Sequence, residues 1–137
     1  MKKITLLACL ITIASIAKAQ NADYRVVFDM TSRDSLNQQG IVRELNLIRE
    51  GNPDAKLEVV MYGQGIDIAI KGRSSQEPAI QKLLTDKGIS FKICAIAMKR
   101  NNVDKSQLIP GIEVVPDGIY EIISKQREGW GYIKVAR

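Results

Sequence analysis

Short runs rich in β-branched and aromatic residues alternate with stretches of helical periodicity along this chain. No other feature narrows the possible folds as much. "YRVVFDM" (Tyr24–Met30) reads as a buried strand bounded by polar residues. "DSLNQQGIVRELNLIREG" follows, with Asp34 or Ser35 able to accept the first free helix N–H groups. Ile41, Leu45 and Ile48 recur at spacings of four and three, and Gly51 and Pro53 mark the stop. Gly40 within it costs roughly 1 kcal/mol relative to Ala, so the helix rests on periodicity. "KLEVVMYG" is a second strand and "IDIAIKG" a short extended piece. Ser74 to Glu77 has the form of a capping box, Pro78 fits a first helical turn, and Ile80, Leu83 and Leu84 form an apolar face ending at Gly88. "ISFKI" is the third main strand and runs directly into "CAIAMKR", whose alanines and methionine favour helix. "IEVV" is a fourth strand, Asp117 caps "GIYEIISKQRE" before Gly129, and "WGYIKV" closes the chain. Such alternation predicts an α/β domain with a mainly parallel sheet covered on both faces.

The N-terminus stands apart from this pattern. Lys2 and Lys3 precede an apolar run from Ile4 to Ile16, and Ala17-Lys18-Ala19 places small residues where a signal peptidase reads them. Residues 1–19 are therefore expected to be a secretory signal peptide and residues 20–137 the mature domain, exported to the periplasm. The run is short of the roughly 20 apolar residues that span a membrane, so no membrane segment is expected after cleavage. Leu6-Leu7-Ala8-Cys9 offers a lipoprotein alternative, but only eight residues precede Cys9 and the apolar run continues past it.

Removing residues 1–19 leaves 118 residues, enough for one ordinary core. Lys2, Lys3 and Lys18 leave with the segment. The basic count falls from 20 to 17 against 15 acidic residues, and the formal charge from +5 to +2. That balance gives no reason to expect a nucleic-acid partner. Histidine is absent, which excludes Ser-His and Cys-His nucleophile pairs and leaves no imidazole for zinc or copper. The carboxylates are scattered, with no cluster that reads as a metal or glycosidase site. Neither metal nor cofactor is expected.

Three stretches invite a functional reading. Met61-Tyr62-Gly63-Gln64-Gly65 resembles the opening of a dinucleotide fingerprint, but Ile68 stands where the third glycine belongs and no helix follows. Two glycines in a tight turn explain it better. Tyr62, Gly63 and Gly65 remain candidates to line a pocket, because ligands of open α/β sheets bind at the carboxyl ends of strands. Asp34, Asp104 and Asp117 read as helix caps. Trp130 and Tyr132 share one face of the last strand and fit the core or a subunit contact.

Cys94 is the only cysteine of the mature chain, so an intrachain disulfide is impossible there. It ends a strand and begins a helix, where free N–H groups and the helix dipole favour a thiolate. Lys92, two residues back, shares its strand face, and Lys99 and Arg100 follow within about two helical turns. The competing reading is a small hydrophobe buried at a strand end, since free cysteine is among the most buried residue types. Spacing alone leaves both open.

"GISFKICAIAMKRNNVDKSQLIPGIEVVPDGIYEIISKQREGWGYIKV" resembles the C-terminal half of the DsrE-like family of sulfur-relay proteins. There a strand ending in cysteine opens a helix that finishes in basic residues. "LIPGIEVVP" and "GWGYIK" resemble secreted single-domain members, and "VVMYGQGI" is similar to the family's glycine turn. The resemblance covers residues 24–135. It implies a three-layer α/β/α sandwich with a mainly parallel five-stranded sheet, and homo- or hetero-oligomers. It also implies that Cys94 carries sulfur as a persulfide, exchanged with a thiol or persulfide donor and acceptor protein. Tyr62 stands where relatives often have histidine, and Ile96 where asparagine is common; both make the rim less polar. The alternative is an oligomeric binding or scaffold protein that keeps the fold without the relay.

Overall fold

The structure is a computed structural model and describes residues 23–136. The expected signal peptide and Cys9 lie outside the described residues. Five strands, β1 (Arg25–Met30), β2 (Lys56–Met61), β3 (Ile89–Cys94), β4 (Glu113–Val115) and β5 (Gly131–Lys134), form one sheet in the order β4-β3-β2-β1-β5. Every pairing is parallel. Four helices connect them: α1 (Ser35–Gly51), α2 (Glu77–Leu83), α3 (Ala95–Arg100) and α4 (Gly118–Arg127). The sheet is the middle of three layers, as the resemblance implies.

Alternation along the strands divides the side chains between two faces. One face carries Val26, Phe28, Met30, Leu57, Val59, Met61, Ile89, Phe91 and Ile93, which meet Ile41 and Leu45 of α1 and Ile80 and Leu83 of α2 in the main core. Phe28, Val59 and Phe91 fall in one row across three strands, and none is more than 1 % exposed. The opposite face carries Val27, Asp29, Glu58, Val60, Ser90, Lys92 and Cys94. α4 lies across it, with Ile122 joining Val27 and Val60 in a much smaller cluster that Tyr62 and Trp130 flank.

The expected caps on α1 and α4 are present. Asp34 Oδ1 accepts from Leu36 N–H at 2.7 Å, and Asp117 Oδ1 accepts from Ile119 and Tyr120 N–H at 2.9 and 3.3 Å. Asp104 caps a short 3-10 turn, Lys105–Gln107. Two local expectations fail. Most of "IDIAIKG" is not extended: Gly63–Ala69 winds into a 3-10 helix, and only Ile70 makes a bridge, to Leu108. Its apolar side chains Ile66, Ile68 and Ala69 are buried against the core, so tertiary packing replaces a ladder. Ser74–Glu77 forms no capping box. Ser74 Oγ accepts from Gln76 N–H, while the Glu77 carboxylate turns back to Gly72 N–H. Trp130 precedes β5 instead of lying in it, packed with Arg25 and Lys125 near its ring.

Candidate functional site around Cys94

Cys94 is the last residue of β3 and also the N-cap of α3, so the strand turns into helix without a linker. It is buried, 5 % exposed, with no disulfide partner among the described residues. β4 pairs Val115 with Cys94. The chain therefore leaves β4 beside the cysteine, and α4 begins on top of it. Space is tight there: a Cβ at Gly118 would lie 3.1 Å from Cβ of Cys94 and 3.4 Å from that of Tyr62, so any larger residue needs these neighbours to give by a few tenths of an ångström.

A cavity of about 380 Å³ opens at this junction. Tyr62 and Gly63 line it from the end of β2, and Ile96, Ala97, Arg100 and Asn101 from α3. Asp117 and Ile119 close it from the start of α4, and Cys94 completes the wall. The lining is mainly apolar, and Arg100 is its only cation. Asp117 spends its Oδ1 on two helix N–H groups. The cavity thus suits a small, weakly polar group that reaches a sulfur atom beside one guanidinium.

The residues expected from the sequence separate into two sets. Cys94, Tyr62, Gly63 and Arg100 come together at the cavity. Gly65, Lys92 and Lys99 do not line it. Gly65 faces β1, where a Cβ would fall 2.1 Å from the Met30 carbonyl oxygen, so its role is close backbone approach. Lys99 borders a different hollow, beside Asp104 and Val114. Lys92 does share the Cys94 face, but its Nζ is 2.8 Å from the Glu113 carboxylate. Burial alone would lower the Lys92 pKa, yet the hydrogen bond it donates to Glu113 and the charges of Glu58, Glu113 and Glu121 outweigh it and raise it.

Two buried carboxylates on the same face were not singled out from the sequence. Asp29, 4 % exposed, accepts from Tyr132 Oη at 2.6 Å, Tyr62 Oη at 3.1 Å and Lys134 Nζ at 3.4 Å, all through Oδ2. Its Oδ1 has no partner. The network fixes Tyr62, a wall of the cavity. Burial and then Asp29 push the Tyr62 hydroxyl up to about 12, and the Asp29 hydrogen bond followed by burial does the same to Tyr132. Glu58, 3 % exposed, accepts from Ser90 Oγ at 3.3 Å and has Lys125 Nζ at 4.0 Å. An aspartate inside the apolar run "YRVVFDM" was the available signal for the first. Glu58 within "KLEVVM" is the matching signal on β2.

The family model for the DsrE/DsrF-like family matches residues 8–135. The chain belongs to the DsrE/DsrF-like family. This places it in a superfamily of the sulfur-relay type. Among solved structures, it is similar to a protein of unknown function, MTH1491, from Methanobacterium thermoautotrophicum. They share 27% identity at a TM-score of 0.77, over 82% of this chain and 99% of that one. The ychN protein of E. coli matches at 13% identity and TM-score 0.68, over 82% and 99% of the two chains. BT1422 of Bacteroides thetaiotaomicron, another conserved protein of unknown function, matches at 12% identity and TM-score 0.65, over 80% and 93%. The last two likenesses establish the three-layer fold alone. No curated protein matches the sequence. Within the family frame, Tyr62 and Ile96 both border the cavity, so the two departures noted in the sequence fall at the site itself. Among the described residues, no group of three or more potential ligands could hold a metal ion.

Proposed function

We propose that this family member carries sulfane sulfur on Cys94. The observation that supports the reading is that Cys94, the one cysteine among the described residues, lines a cavity of about 380 Å³ at the strand ends of the sheet. The Cys94 thiolate attacks the outer sulfur of a donor persulfide, R–S–SH. A Cys94–sulfur bond forms, the donor's S–S bond breaks, and R–S⁻ leaves, giving Cys94–S–SH. An acceptor thiolate repeats the exchange in the other direction. No net oxidation occurs. Arg100 is the cation placed to attract an anionic donor.

Incubation of the protein with polysulfide, followed by intact mass, tests this. A gain of one sulfur that disappears in Cys94→Ser is expected, and no gain in the native protein would overturn the relay. The same mass reports the expected start at Gln20 in material from an exporting host, and a lipid on Cys9 would replace that reading. Self-association is proposed as well, because Ile96, Ile119, Tyr120 and Ile123 stand exposed around the cavity and along α4. Light scattering that returns a monomer mass at micromolar concentration would sink it.

The scaffold alternative has one observation in its favour. Cys94 is 5 % exposed, and a thiol that labels only in denaturant belongs to a core rather than to a carrier.

A further inference from the structure

α4 touches Cys94 at one end and a buried carboxylate at the other. Its first residue, Gly118, packs on Cys94, and Asp117 and Ile119 form one wall of the cavity. Two turns further along, Lys125 Nζ stands 4.0 Å from Glu58 Oε2, 3.9 Å from Glu121 Oε1 and 3.5 Å from Glu128 Oε2. Glu58 lies on β2 directly beneath the helix, and its Oε1 is buried without a partner. An ionised carboxylate oxygen buried without a partner is costly, and protonation of Glu58 lowers that cost.

Other charges around Glu58 are already engaged. From β3, Ser90 donates to Glu58 and Lys92 is paired with Glu113 of β4. From β1, Arg25 is paired with Asp23, and Asp29 is held by Tyr62, Tyr132 and Lys134. That leaves Lys125 as the one cation facing Glu58 from the helix, divided among three carboxylates. We propose that Glu58 and Glu121 form a proton-operated latch beneath α4, and that the latch governs how freely the Cys94 cavity opens. With the proton in place, Glu121 takes a hydrogen bond from Glu58 and the helix is held down. With both ionised, two carboxylates face each other under α4 with one shared lysine. The helix then loosens, and Gly118 lifts from Cys94.

The titration falls in a useful range. Burial, with the charge and hydrogen bond of Glu121, outweighs the opposing charges of Lys125 and Lys92 and pushes Glu58 up from 4.5 to about 7. The latch thus closes in mild acid and opens above neutrality. It goes beyond the sulfur reading and does not depend on it, because helix movement exposes the thiol whatever the thiol does.

The test is the rate of iodoacetamide labelling of Cys94 in the folded protein, compared with Glu58→Gln, from about pH 5 to about pH 8.5. Ionisation of the thiol itself is common to both proteins and cancels in the ratio of rates. The ratio of native to variant should sit near one in acid and rise roughly fivefold or more above neutrality, since one pKa unit corresponds to a tenfold change in equilibrium. A ratio that stays flat across the range overturns the latch and leaves the sulfur reading standing. Failure of the native protein to gain sulfur from polysulfide does the reverse. If Glu58→Gln does not fold, Glu121→Gln decides instead: with only one of the two opposed carboxylates left, the ratio of native to variant labelling should again rise above neutrality, and a flat ratio overturns the proposal.

Discussion

The two faces of the sheet are built on opposite principles. Facing α1 and α2, three neighbouring strands present rows such as Phe28, Val59 and Phe91, closed by Ile41, Leu45, Ile80 and Leu83. Facing α4, the register aligns Glu113, Lys92, Val60, Asp29 and Lys134 in one row, with Ser90 and Glu58 in the next. The first face gains its stability from burying apolar area at about 25 cal/mol per Å². The second face holds ionisable groups whose contribution depends on partners and protons. Cys94 belongs to the second face, where it opens into a cavity lined by Tyr62 and the start of α4. The contrast suggests a division of labour: one face makes the domain stable, and the other stays adjustable around the thiol.

The largest effect should come from the apolar face. Phe91 is fully buried in the central row. Phe91→Ala should destabilise the domain by about 3–5 kcal/mol, the range for removing a buried aromatic ring and leaving a cavity. Urea denaturation at several pH values would show the loss, and it should be the same at each. A loss below 1 kcal/mol, or one that varies with pH, would break the assignment of stability to this face.

The opposite face should respond to pH instead. Glu58 is raised from 4.5 to about 7 in the folded chain, chiefly by burial. A raised carboxyl pKa means that the folded state prefers the proton, so its stabilising share is complete below about 4.5. That share is lost as pH climbs through about 7. The change amounts to something on the order of 3 kcal/mol. Asp86 acts in the other direction, because its hydrogen bonds from Arg49 lower its pKa. Its stabilisation is present above the ordinary 3.8 and disappears as pH falls below it. Between about 4.5 and 7 the two do not overlap. Glu58→Gln should therefore flatten the decline in this window and leave the acid limb untouched. An unaltered slope in denaturation curves would mean that Glu58 is ionised throughout.

How much of this was legible beforehand follows from the same contrast. Every strand on the apolar face announced itself, since Val, Ile and Phe at buried positions are a local signal. So did Cys94, because a strand that runs straight into a helix fixes where its junction residue lies. The company Cys94 keeps was less legible. Tyr62 and Gly63 could be placed at a strand end. Asp117 and Ile119, however, reach the cavity only because β4 pairs beside β3 and delivers α4 onto the cysteine, and pairing order is not written in local periodicity. Lys92 and Lys99 illustrate the opposite error. Their spacing from Cys94 was right for a strand face and a helix, but Glu113 claims the first and the far side of α3 the second. Gly65 looked like part of a ligand turn, while its absent side chain makes room for the Met30 carbonyl.

The smallest expected effect compares two aspartates that do the same job on different faces. Asp34 caps α1 through Leu36 N–H, and Asp117 caps α4 through Ile119 and Tyr120 N–H. Replacing either by alanine frees donors at a helix start and should cost about 1 kcal/mol in thermal or urea denaturation. Their consequences at the thiol should differ. Asp34 lies outside the cavity, so Asp34→Ala should leave iodoacetamide labelling of Cys94 unchanged. Asp117 lines the cavity and fixes the turn from which Gly118 packs on Cys94, so Asp117→Ala should speed labelling several-fold at the same small loss of stability. Equal labelling in the two variants would show that the start of α4 does not guard the cysteine. The adjustable face would then be a matter of charge alone.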